Sequence, residues 1–294
     1  METIAKTGYI LSFAADATPV TTVESGSDIV VETYDCFKNV LQAPSKGVYA
    51  KYDELNPATG PIAVAGAEPG DTIKVTVKKF ELDPVGTFYV TPTDFLKNCA
   101  TEPEVKRIKV EEGRVHLDEK RSFPVKPMIG VIGVSPAEGA VSTVRPGTHG
   151  GNLDCKEITE GSSVYLPVGV AGGNLALGDF HALMGDGELA ACGVEIGGRV
   201  QLHVELIKGV SVQTPVVEDD QAFYVLSSAQ GLDEACENAV AASVAFLQPR
   251  MLDVPANDIV MMVGLLADMR VSQMVNPLRT AKVVLPKTAF PVTF

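Results

Sequence analysis

The sequence has no tryptophan, four histidines in 294 residues, and no pair of cysteines close enough to form a CxxC motif. Its five cysteines, Cys36, Cys99, Cys155, Cys192 and Cys236, are odd in number and widely scattered. That spacing excludes a disulfide framework and a zinc ribbon. Positive charge is also scarce: the formal net charge is −13, and no Lys/Arg cluster offsets it locally. Such a surface repels a phosphate backbone, so nucleic-acid binding is excluded, while an uncharged substrate is left unaffected. The longest apolar run, Ile259 to Ala267, is far below the roughly 20 residues that cross a bilayer, and no membrane association is expected. The opening Met1-Glu2-Thr3-Ile4-Ala5-Lys6 lacks a basic segment leading into an apolar one. No signal peptide is therefore expected, and the cytoplasm is the expected location. Internal repeats and low-complexity linkers are missing too.

What is present reads as a folded chain. Hydrophobic residues make up 46% and charged residues 21%, which excludes disorder as the main state. Glycine (27) and proline (19) are frequent and call for many turns between short elements. Alternation with period two dominates the first two-thirds. Asp28 to Tyr34 is a strand after a Gly26-Ser27 turn. From Asp71 to Leu82, Ile73, Val75 and Val77 share one face, and the apolar parity then shifts to Phe80 and Leu82. One extra residue near Lys78-Lys79 would cause that shift, so a β-bulge is predicted there. Arg199 to Lys208 is a second long strand, and Val105 to Val115 a hairpin around Glu111-Glu112-Gly113.

The C-terminal third changes period. Leu232 to Leu247 follows helical spacing, with Asp233 and Glu234 in the first turn and Pro249 beyond the end. A second helix is predicted from an Asn257 N-cap to about Asp268, buried because it is apolar on nearly every side. Met261-Met262 accordingly reads as core. Arg270 to Val275 returns to strand. The fold class expected is mainly β, sandwich- or barrel-like sheets packed with about two helices. The organisation expected is a β-rich domain over 1–212 and an α+β part over 213–294 that is either separate or continuous with the first.

Two histidines lie in glycine-rich, carboxylate-containing segments thirty-two residues apart, Pro146 to Asp154 with His149 and Gly178 to Glu188 with His181. Histidine and carboxylates around sharp turns suit a divalent ion, which needs neutral nitrogen and anionic oxygen in a compact shell. The alternative for each is a buried histidine satisfied by a carboxylate. If Asp186-Gly187-Glu188 is extended, both carboxylates project to one side, and Asp179 and His181 are related in the same way. His116 and His203 fall on polar strand faces and are expected to be solvated. Glu32 and Asp35 have opposite parity on one strand and face one site only if the strand ends between them.

Residues 145 to 208 resemble the signature region of the acetamidase/formamidase family. The segments that carry the resemblance are Gly-Thr-His-Gly-Gly-Asn-Leu-Asp (147–154), Gly161-Ser162 with Tyr165-Leu166-Pro167-Val168, and Gly-Asp-Phe-His-Ala-Leu-Met-Gly-Asp-Gly-Glu-Leu (178–189). Glu32-Thr33-Tyr34-Asp35-Cys36-Phe37, Asn56 to Ile62 with Gly66 to Asp71, and Ala267 to Gln273 with Val275-Asn276-Pro277 resemble further blocks of the family. Ala171-Gly172-Gly173-Asn174-Leu175 departs from it, where a more apolar segment is usual. The chain resembles the family's shorter, acetamidase-like form. The resemblance implies hydrolysis of short aliphatic amides on a β-rich fold, a divalent metal, and a homo-oligomer, dimer or higher. Zinc is the first choice of metal and calcium the second. Carried over motif by motif, the resemblance makes His149, Asn152, Asp154, His181, Asp186 and Glu188 the candidate site, with Glu32 and Asp35 as additions.

An unactivated amide needs a polarised carbonyl, an activated water and a proton for the departing amine. A divalent ion supplies the first two, and a carboxylate can move the proton. On this reading His149, Asp154, His181 and Asp35 are metal ligands, and Asp186 is a ligand or an orienting residue. Glu188 is the general base and then acid, and Asn152 is a donor to the developing oxyanion. A rival uses Asp154-Cys155-Lys156-Glu157, which holds the residue types of a nitrilase-like site; three consecutive residues do not converge on one carbon, so Cys155 reads as a small buried residue. Gly-Gly-Asn at 150–152 and 172–174 lacks the strand–GxGxxG–helix context, which excludes a nucleotide site. The alternative from another class is a non-catalytic β-protein that binds a metal or small ligand.

Overall fold

A computed structural model describes residues 1–51, 53–92 and 96–294. Among these, the strands form one nine-stranded and one twelve-stranded sheet, with a small two-stranded piece beside them. The first sheet runs Glu2–Ile4, Ser27–Thr33, Gly198–Ile207, Thr72–Leu82, Ser163–Pro167, Val216–Glu218, Ala222–Ala229, Arg279–Pro286, Asp268–Gln273. Strands contributed from beyond residue 212 thus lie in the same sheet as strands from the first third of the chain.

Alternation puts one face of each sheet into a shared core. Ile73, Val75 and Val77 from Thr72–Leu82 meet Val200, Leu202 and Val204 of the neighbouring strand, and all pack against Ile62, Ile129, Leu177 and Phe180 of the other sheet. The predicted bulge is there: Gln201 pairs with Lys79 and Leu202 with Val77, leaving Lys78 without an opposite. That single unpaired residue turns Phe80 back to the inside (7% exposed) while Lys78 and Lys79 stay out. The hairpin also forms, with Glu111 opposite Arg114 and a two-residue turn whose Glu112 and Gly113 both have positive φ (50° and 70°).

Residues of the strand Ala222–Ala229 alternate between two cores. Tyr224 and Leu226 face the sandwich; Phe223 and Val225 face the helix Leu232–Leu247 through Ala239, Phe246 and Leu247. The helices therefore cover the outer face of the first sheet. No helix among the described residues is long and apolar enough to cross a membrane.

The second helix departs from expectation. It spans Ala256–Leu266, begins after Pro255 rather than at an Asn257 cap, and buries only Ile259 and Val263. Met261 is 56% and Leu265 81% exposed, so neither the burial of this helix nor a core role for Met261 holds. One i, i+4 stripe meets the neighbouring core, and a helix at the rim of a layer has nothing to cover its other sides. His203 is half-buried and paired with Asp28 at 2.7 Å, and His116 is half-buried with a buried, unpartnered Nε2, so neither is the freely solvated histidine expected.

Leu202→Ala, in the fully buried face, is expected to lower the unfolding free energy by about 2–5 kcal/mol. Lys78→Ala at the exposed bulge should shift it by no more than about 0.5 kcal/mol. Urea midpoints of the two variants check this, and equal shifts would place the bulge inside the core.

Candidate active site

Gly130 is the point around which the site is built. It lies on the strand Met128–Gly133, between the pairs Ile129–Phe180 and Val131–Gly178 that join it to the strand Leu175–His181, and so beside Asp179. Its carbonyl accepts the backbone N–H groups of Leu153 and Asp154, at 3.1 and 3.2 Å. A Cβ here would lie 2.7 Å from both Asp154 Oδ1 and Asp179 Oδ2, so only glycine lets the two carboxylates close over the strand. The other edge of Leu175–His181 pairs with Ala58–Val64 and, at its end, with Glu195–Ile196. His181 and Glu195 are direct cross-strand partners, which brings His181 Nε2 to 3.2 Å from Glu195 Oε2. Asp179 Oδ1 is 3.5 Å and Asp154 Oδ1 4.0 Å from the same nitrogen. A Cβ at Gly193 would fall 2.6 Å from the imidazole, so this glycine makes room for the ring.

Glu188 arrives from a loop. Gly187 donates to the Ser272 carbonyl at 2.9 Å and accepts from Met274 at 3.2 Å, which fastens the loop to the end of the strand Asp268–Gln273. Asp154, Asp179 and Glu188 all have positive φ (43°, 57° and 46°). Aspartate tolerates that conformation better than glutamate, so the strain falls mainly on Glu188, and strain of this kind is common at functional sites.

Each carboxylate of the cluster keeps an oxygen without a donor, and for three of them the other oxygen is held. Asn276 Nδ2 donates to Asp154 Oδ2 at 2.6 Å, Asn56 Nδ2 to Asp179 Oδ2 at 3.1 Å, and the Gly193 N–H to Glu195 Oε1 at 2.9 Å. With its amide oxygen turned to Asn276 and Asn56, Asn152 donates to Asp154 Oδ2 and Asp179 Oδ2, at 3.1 Å each. Asp154 Oδ1, Asp179 Oδ1, Glu188 Oε2 and Glu195 Oε2 are all buried without a partner.

The electrostatics follow from that crowding. Burial first, and Asp179 second, push the Asp154 carboxyl up to about 6. Burial and Glu195 do the same to Asp179, and burial and Asp154 hold Glu188 well above the usual range. Burial works against a charge on His181, but the Glu195 and Asp179 carboxylates overcome it and raise its pKa. Four buried carboxylates at these distances cannot all ionise unless a cation joins them. The donors suit one: Asp154, His181 and Glu188 offer atoms within 4.8 Å of one another, and so do Cys36, Asp179 and Glu195. Oxygen and nitrogen ligands about 2.0–2.1 Å from a tetrahedral ion lie about 3.3 Å apart, close to the separations around His181. A cleft of about 540 Å³ opens onto this cluster, walled by Phe37, Tyr89, Ala191 and Pro277.

The structure brings together Asn152, Asp154, His181 and Glu188 of the residues read from the sequence. His149 lies apart, buried edge-on against Phe13 with ring centroids 5.1 Å apart. Asp186 points away from Glu188 because Gly187 and Glu188 are both left-handed rather than extended; its carboxylate meets Lys282 at 2.7 Å and Lys156 at 2.9 Å. Asp35 is locked in its own turn, accepting the N–H groups of Phe37 and Asn39 at 3.0 and 2.6 Å. Glu32 stays on its strand beside a separate shallow cleft with Lys6 and Arg199. Asn152 has both amide hydrogens directed at carboxylates, so none is left for an oxyanion. Cys155 is fully buried, donates to Glu157 at 3.2 Å, and is pushed up to about 12, chiefly by burial. A cysteine–glutamate–lysine group does assemble, through Lys282 rather than Lys156, but it is sealed in the interior.

Cys36, Asn56, Asp179, Glu195 and Asn276 complete the cluster and were not assigned to it from the sequence. The two asparagines had a signal, since both stand in Asn-Pro pairs at turns (56–57 and 276–277). Glu195 had another, as a lone charge inside an apolar stretch between glycines.

Comparison with known proteins agrees with this fold. The model of the acetamidase/formamidase family matches residues 85–291. A crystal structure from Thermoanaerobacter tengcongensis, described as a predicted acetamidase/formamidase, is 40% identical with a TM-score of 0.94, covering 100% of this chain and 99% of that one. The acetamidase of Bacillus halodurans is 35% identical, also with a TM-score of 0.94, covering 98% of each chain. A formamidase of Methylophilus methylotrophus is 52% identical over 73 residues, 24% of this chain. The matched stretch spans only 18% of that formamidase's length. A β-sandwich with a buried acid–histidine cluster is thus the class that fold and site define. The chain belongs to the acetamidase/formamidase family, whose name is that of hydrolysis at linear amide C–N bonds.

Burial holds His149 at about 4, below its ordinary 6.5, so folding favours the neutral ring. The stability this gives is present above pH 6.5 and is lost as pH falls through about 4, as much as about 3 kcal/mol. His149→Gln should flatten the fall in urea midpoint between pH 7 and 4. An unchanged slope would remove His149 as its source.

Proposed function

We propose that this chain hydrolyses short linear amides to a carboxylate and ammonia, with a divalent ion held by Asp154, Asp179, His181 and Glu195. The observation that carries the reading is the arrangement of buried, orphaned carboxylate oxygens around His181 Nε2, at the end of the cleft. The names of the solved relatives point to the same chemistry. Bound there, zinc, with calcium as second choice, would supply Lewis acidity and lower the pKa of water towards about 7.

The chain's own residues do the rest. Asn56, Asn152 and Asn276 fix the Asp154 and Asp179 carboxylates so that their free oxygens keep one direction, the usual work of groups behind a ligand. Glu188 borders the cleft beside Asp154 and has a carboxyl raised by burial. It is suited to take a proton from water at Oε2 and return it to the departing nitrogen. Phe37 and Tyr89 offer an apolar wall to the acyl group. The exposed apolar side of the helix Ala256–Leu266 supports the homo-oligomer as part of this proposal.

Ammonia release from formamide, acetamide and propionamide should be stoichiometric with carboxylate formed, fall to background after chelation, and return when zinc is restored. Full activity in chelated, metal-free protein would reject the proposal. Glu188→Gln should lose about 10²–10⁴-fold in kcat with metal content unchanged; undiminished turnover would take the proton-transfer role from Glu188.

A further inference from the structure

We propose that the centre holds two divalent ions rather than one, and that Cys36 is a thiolate ligand to the second, together with Asp179 and Glu195. The inference rests on the metal reading above and divides its ligands: Asp154 and His181 stay with the first ion, and Asp179 and Glu195, with the Cys36 sulfur that reading leaves idle, serve the second.

Cys36 follows the strand Ser27–Thr33 and stands at the wall of the cleft, only 6% exposed. Its sulfur lies within 4.8 Å of donor atoms of Asp179 and Glu195, which are likewise within that distance of each other. The set does not rest on a cluster of acids alone. Asp179 Oδ1 and Glu195 Oε2 are unpartnered, in side chains 3% and 2% exposed. Asp154, His181 and Glu188 form the adjoining set, with its own unpartnered oxygens. With Glu188 left as the base, three orphaned oxygens, one imidazole nitrogen and one thiol still exceed the four positions of one tetrahedral ion. Divided between two neighbouring ions, they leave positions for water and substrate.

Charge leads the same way. The four carboxylates carry four negative charges when ionised. One divalent ion leaves two of them uncompensated in a buried space, and two ions balance all four. With Cys36 as a thiolate, two ions leave a single negative charge, against two with one ion. A sulfur donor also selects the metal: thiolate favours zinc over calcium. A second buried thiol serves as an internal control. Cys192 also lines the cleft, but its sulfur donates to the Gly193 carbonyl at 3.1 Å and accepts from the Tyr89 N–H at 3.3 Å.

The test uses the full chain, stripped with chelator and titrated with Co²⁺, which reports sulfur ligation by a thiolate-to-cobalt charge-transfer band in the near ultraviolet. Two ions per chain are expected, with the band rising alongside one of them. Cys36→Ser should lose the band and bind one ion, while Cys192→Ser keeps both. In the unmutated chain, zinc should protect Cys36 from iodoacetamide, as read by peptide mass mapping, so the proposal stays testable if Cys36→Ser fails to fold. A stoichiometry of one, a cobalt complex without the band, or equal alkylation of Cys36 with and without zinc would overturn it. These readouts need no turnover. Two ions with no amide hydrolysis would reject the amidase reading and leave the second site standing; hydrolysis with a single ion would do the reverse.

Discussion

Four carboxylates buried within a few ångströms of one imidazole are the constraint on which the rest of this structure depends. Like charges at such separations repel strongly where water is excluded, and the Asp154, Asp179 and Glu188 carboxyls are driven towards their protonated forms. Holding them together takes a backbone that gives them no alternative. Gly130 and Gly193 remove the side chains that would keep them apart. Left-handed turns at Asp154, Asp179 and Glu188 aim them inward, and asparagine amides clamp the oxygens of the two aspartates. The local conformational cost is of order 1–3 kcal/mol for each strained residue, and it is offset by the large core on which these turns rest.

The sandwich is suited to that task because its strands carry the site and the core on the same backbone. In the strand Leu175–His181, Leu175, Leu177 and Phe180 are fully buried in the main core while Asp179 and His181 reach the acid cluster. Movement of the site would require movement of that core. The C-terminal part is tied in by a different device: Gln273 is buried, accepts the N–H groups of Val275 and Asn276 at 2.9 Å each, and so sets the turn from which Asn276 reaches Asp154.

Much of the architecture was legible in the sequence because it rests on local periodicity. The parity shift at Lys78, the hairpin at Glu112-Gly113 and the helix Leu232–Leu247 all follow from residues within a few positions of one another. The exposed helix Ala256–Leu266 did not, since apolar composition shows what a segment can bury and not whether a neighbour reaches it. The site was legible in part for the same reason. Asn152, Asp154, His181 and Glu188 sit in recognisable glycine-rich motifs. Cys36, Asn56, Glu195 and Asn276 come together only through sheet pairing across as many as 240 positions of sequence (36 to 276). His149 and Asp186 look equivalent to the gathered residues in one dimension, but left-handed turns at Gly150, Gly151 and Gly187 direct them elsewhere.

That span has a kinetic consequence. Cys36, Asn56, Asp154 to Glu195 and Asn276 are held in the right order only once both sheets have closed, and contacts of such long range form late and slowly. An ion of the kind proposed would therefore be no template around which the early chain collects. It would be a latch, captured after assembly and opposing the first separation of the sheets, so its influence would fall on how slowly the protein comes apart rather than on how quickly it forms.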